Sequence, residues 1–351
     1  MLVETDYNYK KVLIIQLQPI GDVVRATPVV AKLQERYPQS RIDFLIYDRY
    51  AELLEGNPRV NEIITLNGRF RQENININQI LEELKELADR LQEKRFDLVV
   101  NLHDTTLSGI LAYLTKAKEI KGVVLNEFGH FTIPPGWIIN PHESGLNLVE
   151  AYLRNVGLDT EGANLEVYLE EEDLAFRDEF LRKEGIGEKE LLIGLNPGAA
   201  VYSKRWPKEG FAQVGDQLSR EYRAKLILFG GPQDKGLADE MVRVMESTPI
   251  NLVGRTTLKG LAALLERCNL FITNDSGPMH IAAAVNTPMV AIFGSSSLKA
   301  NSPYGGRYVT LQADLPCVPC GRSYCEELNC LKSITVEEVL ASCRKILKED
   351  T

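Results

Sequence analysis

The residues best suited to chemistry stand directly after runs of apolar residues. The stretch "TNDSGPMHIAAA" places four small or polar residues between a strand-like run and a helix-like one: Asp275, Ser276, Gly277 and His280. The free amides of a first helical turn carry partial positive charge and bind phosphate, and a proline there has no amide to lose. This pattern predicts a phosphate site to which His280 adds a ring N–H. The alternative is a plain helix cap beside a buried core histidine.

Asp275 has the wrong charge to contact a diphosphate. We therefore assign it to capping, to a hydroxyl or to an amide. The predicted phosphate-binding residues are therefore Ser276, Gly277 and His280 of this motif, together with Lys204 from elsewhere in the chain.

A second place of this kind is "GLNPGAAVYSKRWPKEGF", residues 194–211. Gly198 would let the backbone come close to a ligand, and the adjacent cations Lys204 and Arg205 could neutralise phosphate oxygens. A helix is expected from about Lys208. The alternative is that the two cations are solvated and that Trp206 only fastens the helix start to the core.

The third place is "LIIQLQPIGDVVRATP", where a turn at Gly21 is followed by Asp22 at the opening of a helix. The spacing lacks the G-x-G-x-x-G pattern, so it does not favour dinucleotide binding. Asp22 either caps the helix or accepts a proton from a substrate hydroxyl, and one residue can do both.

Composition and charge narrow the class of protein. The chain has 351 residues, 44% of them hydrophobic, and this exceeds the usual size of a single core, so we expect two domains. A formal net charge of −9 argues against a nucleic-acid partner. We see neither a secretory signal nor an uncharged apolar run of about 18 residues. The expectation is a cytoplasmic protein with at most peripheral membrane contact, and the oligomeric state is left open.

Four of the six cysteines crowd into "CVPCGRSYCEELNC", at Cys317, Cys320, Cys325 and Cys330. The spacing C-x₂-C-x₄-C-x₄-C is compatible with a tetrahedral structural zinc. Free thiols in a tight loop and reversible disulfides are the alternatives, because a reducing compartment disfavours permanent disulfides.

Strand-like apolar runs alternate with amphipathic segments, which is typical of parallel sheets with crossover helices. The strand candidates are 11–17, 41–47, 61–66, 96–102 and 119–125, then 190–196, 224–230, 250–254, 269–274, 288–294 and 307–312. They predict an α/β protein of two Rossmann-like domains, residues 1–175 and 176–351, with mostly parallel sheets facing a cleft. Ligands of such sheets bind beyond the carboxyl ends of the strands, where the three places above lie.

Four stretches in this order resemble glycosyltransferase family 9, the lipopolysaccharide heptosyltransferases. They are "KVLIIQLQPIGDVVRATPVVAKLQERYP", "NPGAAVYSKRWPKEGFAQV", "TNDSGPMHIAAAVNTPMVAIFG" and "CVPCGRSYCEELNCLKSITVEEV". The resemblance implies a GT-B fold, an acceptor on the N-terminal domain, a nucleotide-sugar on the C-terminal one and no metal in catalysis. The implied donor is ADP-heptose and the implied acceptor is a lipid-linked core oligosaccharide.

The resemblance also implies roles for single residues. Asp22 matches the general base, with Gly21 and Arg25 on the acceptor side. Donor-binding residues would be Lys204, Asp275, Ser276, Gly277, His280 and Gly198, with Asp234 as the partner of the nucleotide ribose. Two positions depart from the family: Asn101 stands where an aspartate is often found, and Ala199 where a hydroxyl residue often sits.

Other functions remain open at this point. The nearest is another GT-B nucleotide-sugar enzyme, either with a different sugar donor or a non-hydrolysing epimerase. An NAD-dependent dehydrogenase would suit two α/β halves but lacks its glycine pattern. A nonenzymatic protein that senses a nucleotide-sugar is the third alternative.

Overall fold

A computed structural model describes residues 8–67, 77–125, 131–132 and 145–348. The chain divides into two compact units. The first comprises Met1–Ser144 and Leu148–Asn164, and the second comprises Gly145–Asn147 and Leu165–Thr351. The predicted domain limits at 175 and 176 stay a prediction. Over the described ranges, none of the helices combines the length and the apolar character needed to cross a membrane.

The first unit is built on a five-stranded parallel sheet of order β3-β2-β1-β4-β5. Its strands are β1 (Lys11–Ile15), β2 (Arg41–Tyr47), β3 (Val60–Leu66), β4 (Leu98–Asn101) and β5 (Glu119–Gly122). Its helices are α1 (Ile20–Arg36), α2 (Ile77–Glu93), α3 (Thr106–Leu114) and α4 (Leu148–Asn155), and a short antiparallel pair follows β5: β6 (Val124–Leu125) and β7 (Phe131–Thr132). The strand order reverses between β1 and β4, so their carboxyl ends define the ligand edge.

The second unit contains a six-stranded parallel sheet of order β10-β9-β8-β11-β12-β13. Its strands are β8 (Leu192–Asn196), β9 (Lys225–Leu228), β10 (Ile250–Asn251), β11 (Leu270–Asn274), β12 (Met289–Phe293) and β13 (Tyr308–Gln312). Its helices are α5 (Glu171–Lys183), α6 (Lys208–Tyr222), α7 (Lys235–Val244), α8 (Leu258–Arg267), α9 (Gly277–Ala284), α10 (Leu298–Asn301), α11 (Asn329–Lys332) and α12 (Val336–Lys348). The reversal falls between β8 and β11, which places the ligand edge there.

Burial explains why the apolar runs become strands. Strands β8, β11 and β12 are buried along their whole length, as parallel strands covered on both faces are. Helix α12 packs into the core of the second unit with Val339 and Cys343 fully buried. The terminal helix is therefore part of this unit's hydrophobic core.

Each of the eleven predicted runs forms a strand in one of the two sheets, and the predicted α/β class is confirmed. One helix start differs from expectation. Helix α1 begins at Ile20 after Pro19, so Asp22 lies inside its first turn and does not cap it. Helix α9 begins at Gly277, as its sequence predicts.

Candidate functional site

A buried ion pair stands at the ligand edge of the second unit. Lys204 Nζ lies 2.7 Å from Asp275 Oδ2, and the Ser296 hydroxyl donates to the same oxygen at 2.5 Å. Only 5% of the Asp275 side chain is exposed, against 25% of that of Lys204. The carboxylate is thus turned inward and satisfied, while the ammonium keeps a face toward solvent. Asp275 therefore pairs with a hydroxyl, as predicted, and also with the lysine, which the sequence did not indicate.

The start of α9 is left open to a ligand. Ser276 is the N-cap residue, but its hydroxyl accepts a hydrogen bond from Asn196 Nδ2 at 2.9 Å. No described side chain caps the helix, and Pro278 occupies the first turn. His280 follows in the helix with only 2% of its surface exposed. The amides of this turn can therefore donate to an anion.

Gly198 and Asp234 fit closely together at the same edge. A Cβ at Gly198 would lie 2.5 Å from the Asp234 carboxyl group, so only glycine leaves room for this carboxylate. Asp234 Oδ2 accepts from the Gly231 amide at 3.0 Å and from Gln233 Nε2 at 3.2 Å. Its buried Oδ1 has no hydrogen-bond partner among the described residues, although the Arg205 guanidinium lies 3.9 Å away. That oxygen keeps an unused acceptor position at the ligand edge.

The loop that carries Lys204 is tied into the core on both sides. The Trp206 amide donates to Asn274 Oδ1 at 3.0 Å, and the Asn274 side chain donates to the Pro197 carbonyl at 2.8 Å. The buried indole of Trp206 donates to the Ile334 carbonyl at 3.0 Å. Trp206 therefore fastens the loop to the core, which is the structural interpretation weighed for it above.

The turn after β12 supports the lysine loop. The hydroxyl groups of Ser203 and Ser295 lie 2.8 Å apart, and the amides of Cys320 and Gly321 donate to the Ser295 carbonyl at 3.0 and 2.8 Å. A Cβ at Gly294 would lie 2.3 Å from the Ser203 carbonyl. The four-cysteine loop is thus attached directly to the loop that bears Lys204. The sequence did not single out Ser203 or Ser295, although the rule that ligand residues follow strands points to Ser295, which comes directly after β12 and Gly294.

The four cysteines are free thiols. Cys317 and Cys320 are exposed, whereas Cys330 is buried, and burial raises the pKa of its thiol. Within the described part of the chain, no group of three or more His, Cys, Asp or Glu side chains is arranged to hold a metal ion. The predicted zinc site at Cys317, Cys320, Cys325 and Cys330 is therefore not supported, because spacing alone does not bring four thiolates around one point.

The ligand edge of the first unit also carries an ion pair. Asp22 Oδ1 lies 2.7 Å from an Arg25 terminal nitrogen, one helical turn further along α1. Here 18% of the carboxylate side chain is exposed, against 9% of that of the arginine. Gly21 is buried beside them. The arginine fixes the carboxylate, which keeps a face toward solvent.

A buried tyrosine supports this edge from α4. The Tyr152 hydroxyl accepts from Gln16 Nε2 at 3.0 Å and lies 3.4 Å from Gln18 Oε1. Burial raises the pKa of this phenol, and the Asp22 charge adds to the effect. Tyr152 therefore remains neutral and holds the two glutamines that follow β1.

The contacts of Asn101 explain why this position has an amide where the family often has an aspartate. Its Nδ2 donates to the Val123 carbonyl at 2.7 Å, and its Oδ1 accepts from the His103 amide at 3.2 Å. An aspartate could accept but could not donate, so the contact with Val123 requires the amide. This residue joins the ends of β4 and β5.

The chain has an α/β fold with two Rossmann-like units, and the ligand edge of the second unit combines a cation, an uncapped helix start and buried acceptors. A family model for glycosyltransferase family 9 (heptosyltransferase) matches residues 84–331. The chain belongs to glycosyltransferase family 9 and is a glycosyltransferase.

Relatives and solved structures agree over nearly the whole chain. The chain is 27% identical over 338 residues to lipopolysaccharide heptosyltransferase 3 of Escherichia coli K12, covering 94% of this chain and 96% of that protein. The glycosyl transferase family 9 structure from Veillonella parvula has a TM-score of 0.84 and 29% identity, with 98% of both chains covered. The E. coli ADP-heptose lps heptosyltransferase II has a TM-score of 0.78 and 24% identity, covering 97% of this chain and 99% of that one. The GT-B fold is confirmed.

Proposed function

We propose that this protein transfers heptose from ADP-heptose to a hydroxyl of a lipid-linked core oligosaccharide, with inversion at the sugar carbon and without a metal ion. The names of its relatives support the substrate class, since they include a lipopolysaccharide heptosyltransferase and an ADP-heptose lps heptosyltransferase. Because the acceptor is anchored in a bilayer, the protein would meet it peripherally, on the cytoplasmic side.

The single observation that carries the donor side is the Lys204–Asp275 pair at the open start of α9. The exposed ammonium and the uncapped amides of Gly277 and the next residues converge on one edge of the sheet, as a diphosphate requires. Ser276 and His280 belong to the same turn. This combination favours binding of a nucleoside diphosphate.

Asp234 supplies a place for the nucleotide ribose. Its buried Oδ1 lacks a protein donor over the described ranges, and an unsatisfied buried acceptor costs about 1–3 kcal/mol. A ribose hydroxyl would satisfy it. Gly198 makes the arrangement feasible because any side chain there would displace the carboxylate.

Asp22 is the proposed general base. In the reaction it removes the proton from the acceptor hydroxyl, whose oxygen then attacks C1 of the heptose. The bond between C1 and the diphosphate oxygen breaks, and ADP leaves with the electron pair. Attack opposite the leaving group inverts the configuration at C1. Arg25 orients the base and lies with Gly21 on the acceptor side.

The leaving group is stabilised by donors that are already fixed. As negative charge grows on the ADP oxygen, Lys204, His280 and the Gly277 amide can donate to it without rearrangement. Such donors would perform the task that a divalent cation performs in metal-dependent transferases. Asp275 and Ser296 hold Lys204 in the required position.

The test offers a panel of nucleotide-sugars to the purified protein, with core oligosaccharides of defined length, and follows release of nucleoside diphosphate. We expect ADP release that depends on both ADP-heptose and acceptor, a product of inverted anomeric configuration, and unchanged rates in EDTA. Loss of activity in EDTA that Mg²⁺ restores would contradict the metal-independent mechanism. Turnover with a different nucleotide-sugar, or isomerisation of the sugar without transfer, would replace the proposed substrate or reaction.

A further inference from the structure

Two tyrosine rings are stacked on the surface beside the lysine loop. The ring centroids of Tyr202 and Tyr324 lie 5.4 Å apart with an interplanar angle of 24°. Both are large and exposed, with 46% and 66% of their surfaces accessible. Tyr202 stands two residues before Lys204. Exposed aromatic area of this size beside a candidate site is typical of binding surfaces.

The backbone beneath the rings is held firmly. The Ser203 amide donates to the Ser323 carbonyl at 3.3 Å, and the Ser203 hydroxyl donates to the Arg322 carbonyl and contacts Ser295. Each tyrosine is thus adjacent to a residue of this hydrogen-bonded frame. The backbone that carries the two rings is therefore fixed, so a ligand does not have to order this backbone.

The chemistry of this surface suits a sugar ring. A phenol ring offers a flat apolar face with a hydroxyl at its rim, which matches the C–H face and flanking hydroxyls of a pyranose. The exposed Arg322 precedes Tyr324 by two residues and can donate to sugar hydroxyls beside the rings.

We propose that Tyr202 and Tyr324 form a subsite for a sugar of the oligosaccharide acceptor that is not the reacting sugar. The inference rests on the proposed function and extends it. Of the groups assigned to the diphosphate, His280 is buried and Lys204, Ser276 and Gly277 are half-buried, whereas the two tyrosine rings are the more exposed surface. An oligosaccharide continues past its reacting hydroxyl and needs such a surface, whereas the donor ends at its sugar.

The test compares Tyr202→Ala and Tyr324→Ala with Tyr308→Ala. Tyr308 is also exposed, at 38%, but it opens β13 at the amino end of the same parallel sheet, away from the ligand edge. We measure acceptor KM and kcat with a lipid-free core oligosaccharide and with an acceptor truncated to its reacting sugar, and ADP affinity by calorimetry.

We expect KM for the long acceptor to rise about three- to tenfold in either tyrosine variant, the range that one lost aromatic contact gives. In both variants the kcat, the ADP affinity and the KM for the truncated acceptor should equal those of the unaltered protein. The Tyr308→Ala variant should match the unaltered protein in all of these quantities and in the KM for the long acceptor. Tyr324→Trp should restore the long-acceptor KM, whereas Tyr324→Leu should not. A merely structural role would not distinguish the two acceptor lengths.

An unchanged KM for the long acceptor in both alanine variants would overturn the subsite. Loss seen only with a lipid-bearing acceptor in vesicles, and not with the lipid-free oligosaccharide, would assign the rings to the membrane surface and overturn it as well. If the unaltered protein transfers no heptose to any acceptor, the proposed function fails and this inference falls with it.

Discussion

The two ligand edges each carry one aspartate paired with one cation, but they present opposite charges. In the first unit the carboxylate of Asp22 is twice as exposed as its partner Arg25, at 18% against 9%. In the second unit 25% of the Lys204 side chain is exposed, against only 5% of that of its partner Asp275. The first edge therefore presents mainly the negative member of its pair to solvent, and the second edge presents mainly the positive member.

Burial decides which member of each pair can act on a ligand. A carboxylate that faces solvent can accept a proton, whereas a cation that faces solvent can bind a phosphate. The buried partner in each case orients the exposed one and removes its need to reorganise. On the proposed function, two pairs of an aspartate and a cation would serve different tasks because each sheet edge exposes a different member of its pair.

The largest effect is expected at Asp22. Asp22→Asn retains the contact with Arg25 but cannot take the proton, so kcat should fall about 10²–10⁴-fold. ADP affinity, measured by calorimetry, should stay the same because this residue lies in the other unit from the donor groups. Asp97→Asn is the matched control, because this carboxylate has a similar exposure of 17% and a cation partner, Lys118, but directly precedes β4 at the amino edge of the sheet. A fully active Asp22→Asn protein would remove the base from the proposed mechanism.

Lys204 tests the other half of the comparison. Lys204→Ala removes a charged donor worth about 1.5–3 kcal/mol, so ADP affinity should fall about 10- to 100-fold. Lys208→Ala is the control, since that lysine is exposed to a similar degree, at 27%, and pairs with Glu209. Equal ADP titrations for the Lys204 and Lys208 variants would contradict the phosphate assignment.

A double variant separates binding from folding at this pair. Lys204→Ala leaves the buried Asp275 carboxylate without its cation, which should lower the free energy of unfolding. Adding Asp275→Asn should restore that stability in urea unfolding but not the ADP affinity. Recovery of affinity in the double variant would mean that the lysine acts only on the aspartate.

Ser296 should give a smaller change. Ser296→Ala removes the hydroxyl donor to Asp275, a net loss of about 1 kcal/mol, and loosens the orientation of Lys204. We expect the donor KM to rise and kcat to fall, each about two- to fivefold, whereas Ser296→Thr keeps the hydroxyl and the activity. Ser219→Ala, which alters a hydroxyl bonded to the Ala224 carbonyl, is the control. Equal donor KM values for Ser296→Ala and Ser296→Thr would show that the hydrogen bond to Asp275 does not orient Lys204.

Tyr152 should matter for stability and least of all for turnover. Tyr152→Phe leaves the Gln16 amide without its acceptor and should lower the free energy of unfolding by about 1 kcal/mol at neutral pH, measured with urea. In the folded protein the pKa of this phenol is raised above its ordinary value near 10, so unfolding releases a proton above that pH and stability falls. The phenylalanine variant lacks this loss, and the stability gap should narrow at alkaline pH. A constant gap would contradict the burial argument.

The sequence was sufficient for the strands and for the sheet edges at which the candidate residues lie. Fully buried parallel strands such as β11 and β12 are continuous apolar runs, and their carboxyl ends follow directly in the sequence. The start of α9 was predictable because Pro278 and Gly277 mark it locally. The start of α1 was placed two residues late because Pro19 and Ile20 give no comparable signal.

Contacts between distant residues could not be read from the sequence. Gln16 and Tyr152 are 136 positions apart, and Ser203 and Ser295 are 92 apart. Their meeting depends on strand order, which apolar periodicity does not encode. For the same reason Lys204 was assigned to a phosphate without its partner Asp275. The cysteine spacing suggested a zinc site that the structure does not support, because residues at regular intervals along a chain need not meet in space.

The hydrogen bond from Trp206 to the Ile334 carbonyl spans 128 positions of chain. During translation the tryptophan leaves the ribosome long before the carbonyl that anchors it. The first unit can complete its sheet in that interval, but the lysine loop cannot acquire its final anchor until the distal segment has emerged. A chain interrupted before Ile334 lacks this anchor and the core helix α12 together, so its ADP affinity should be weak.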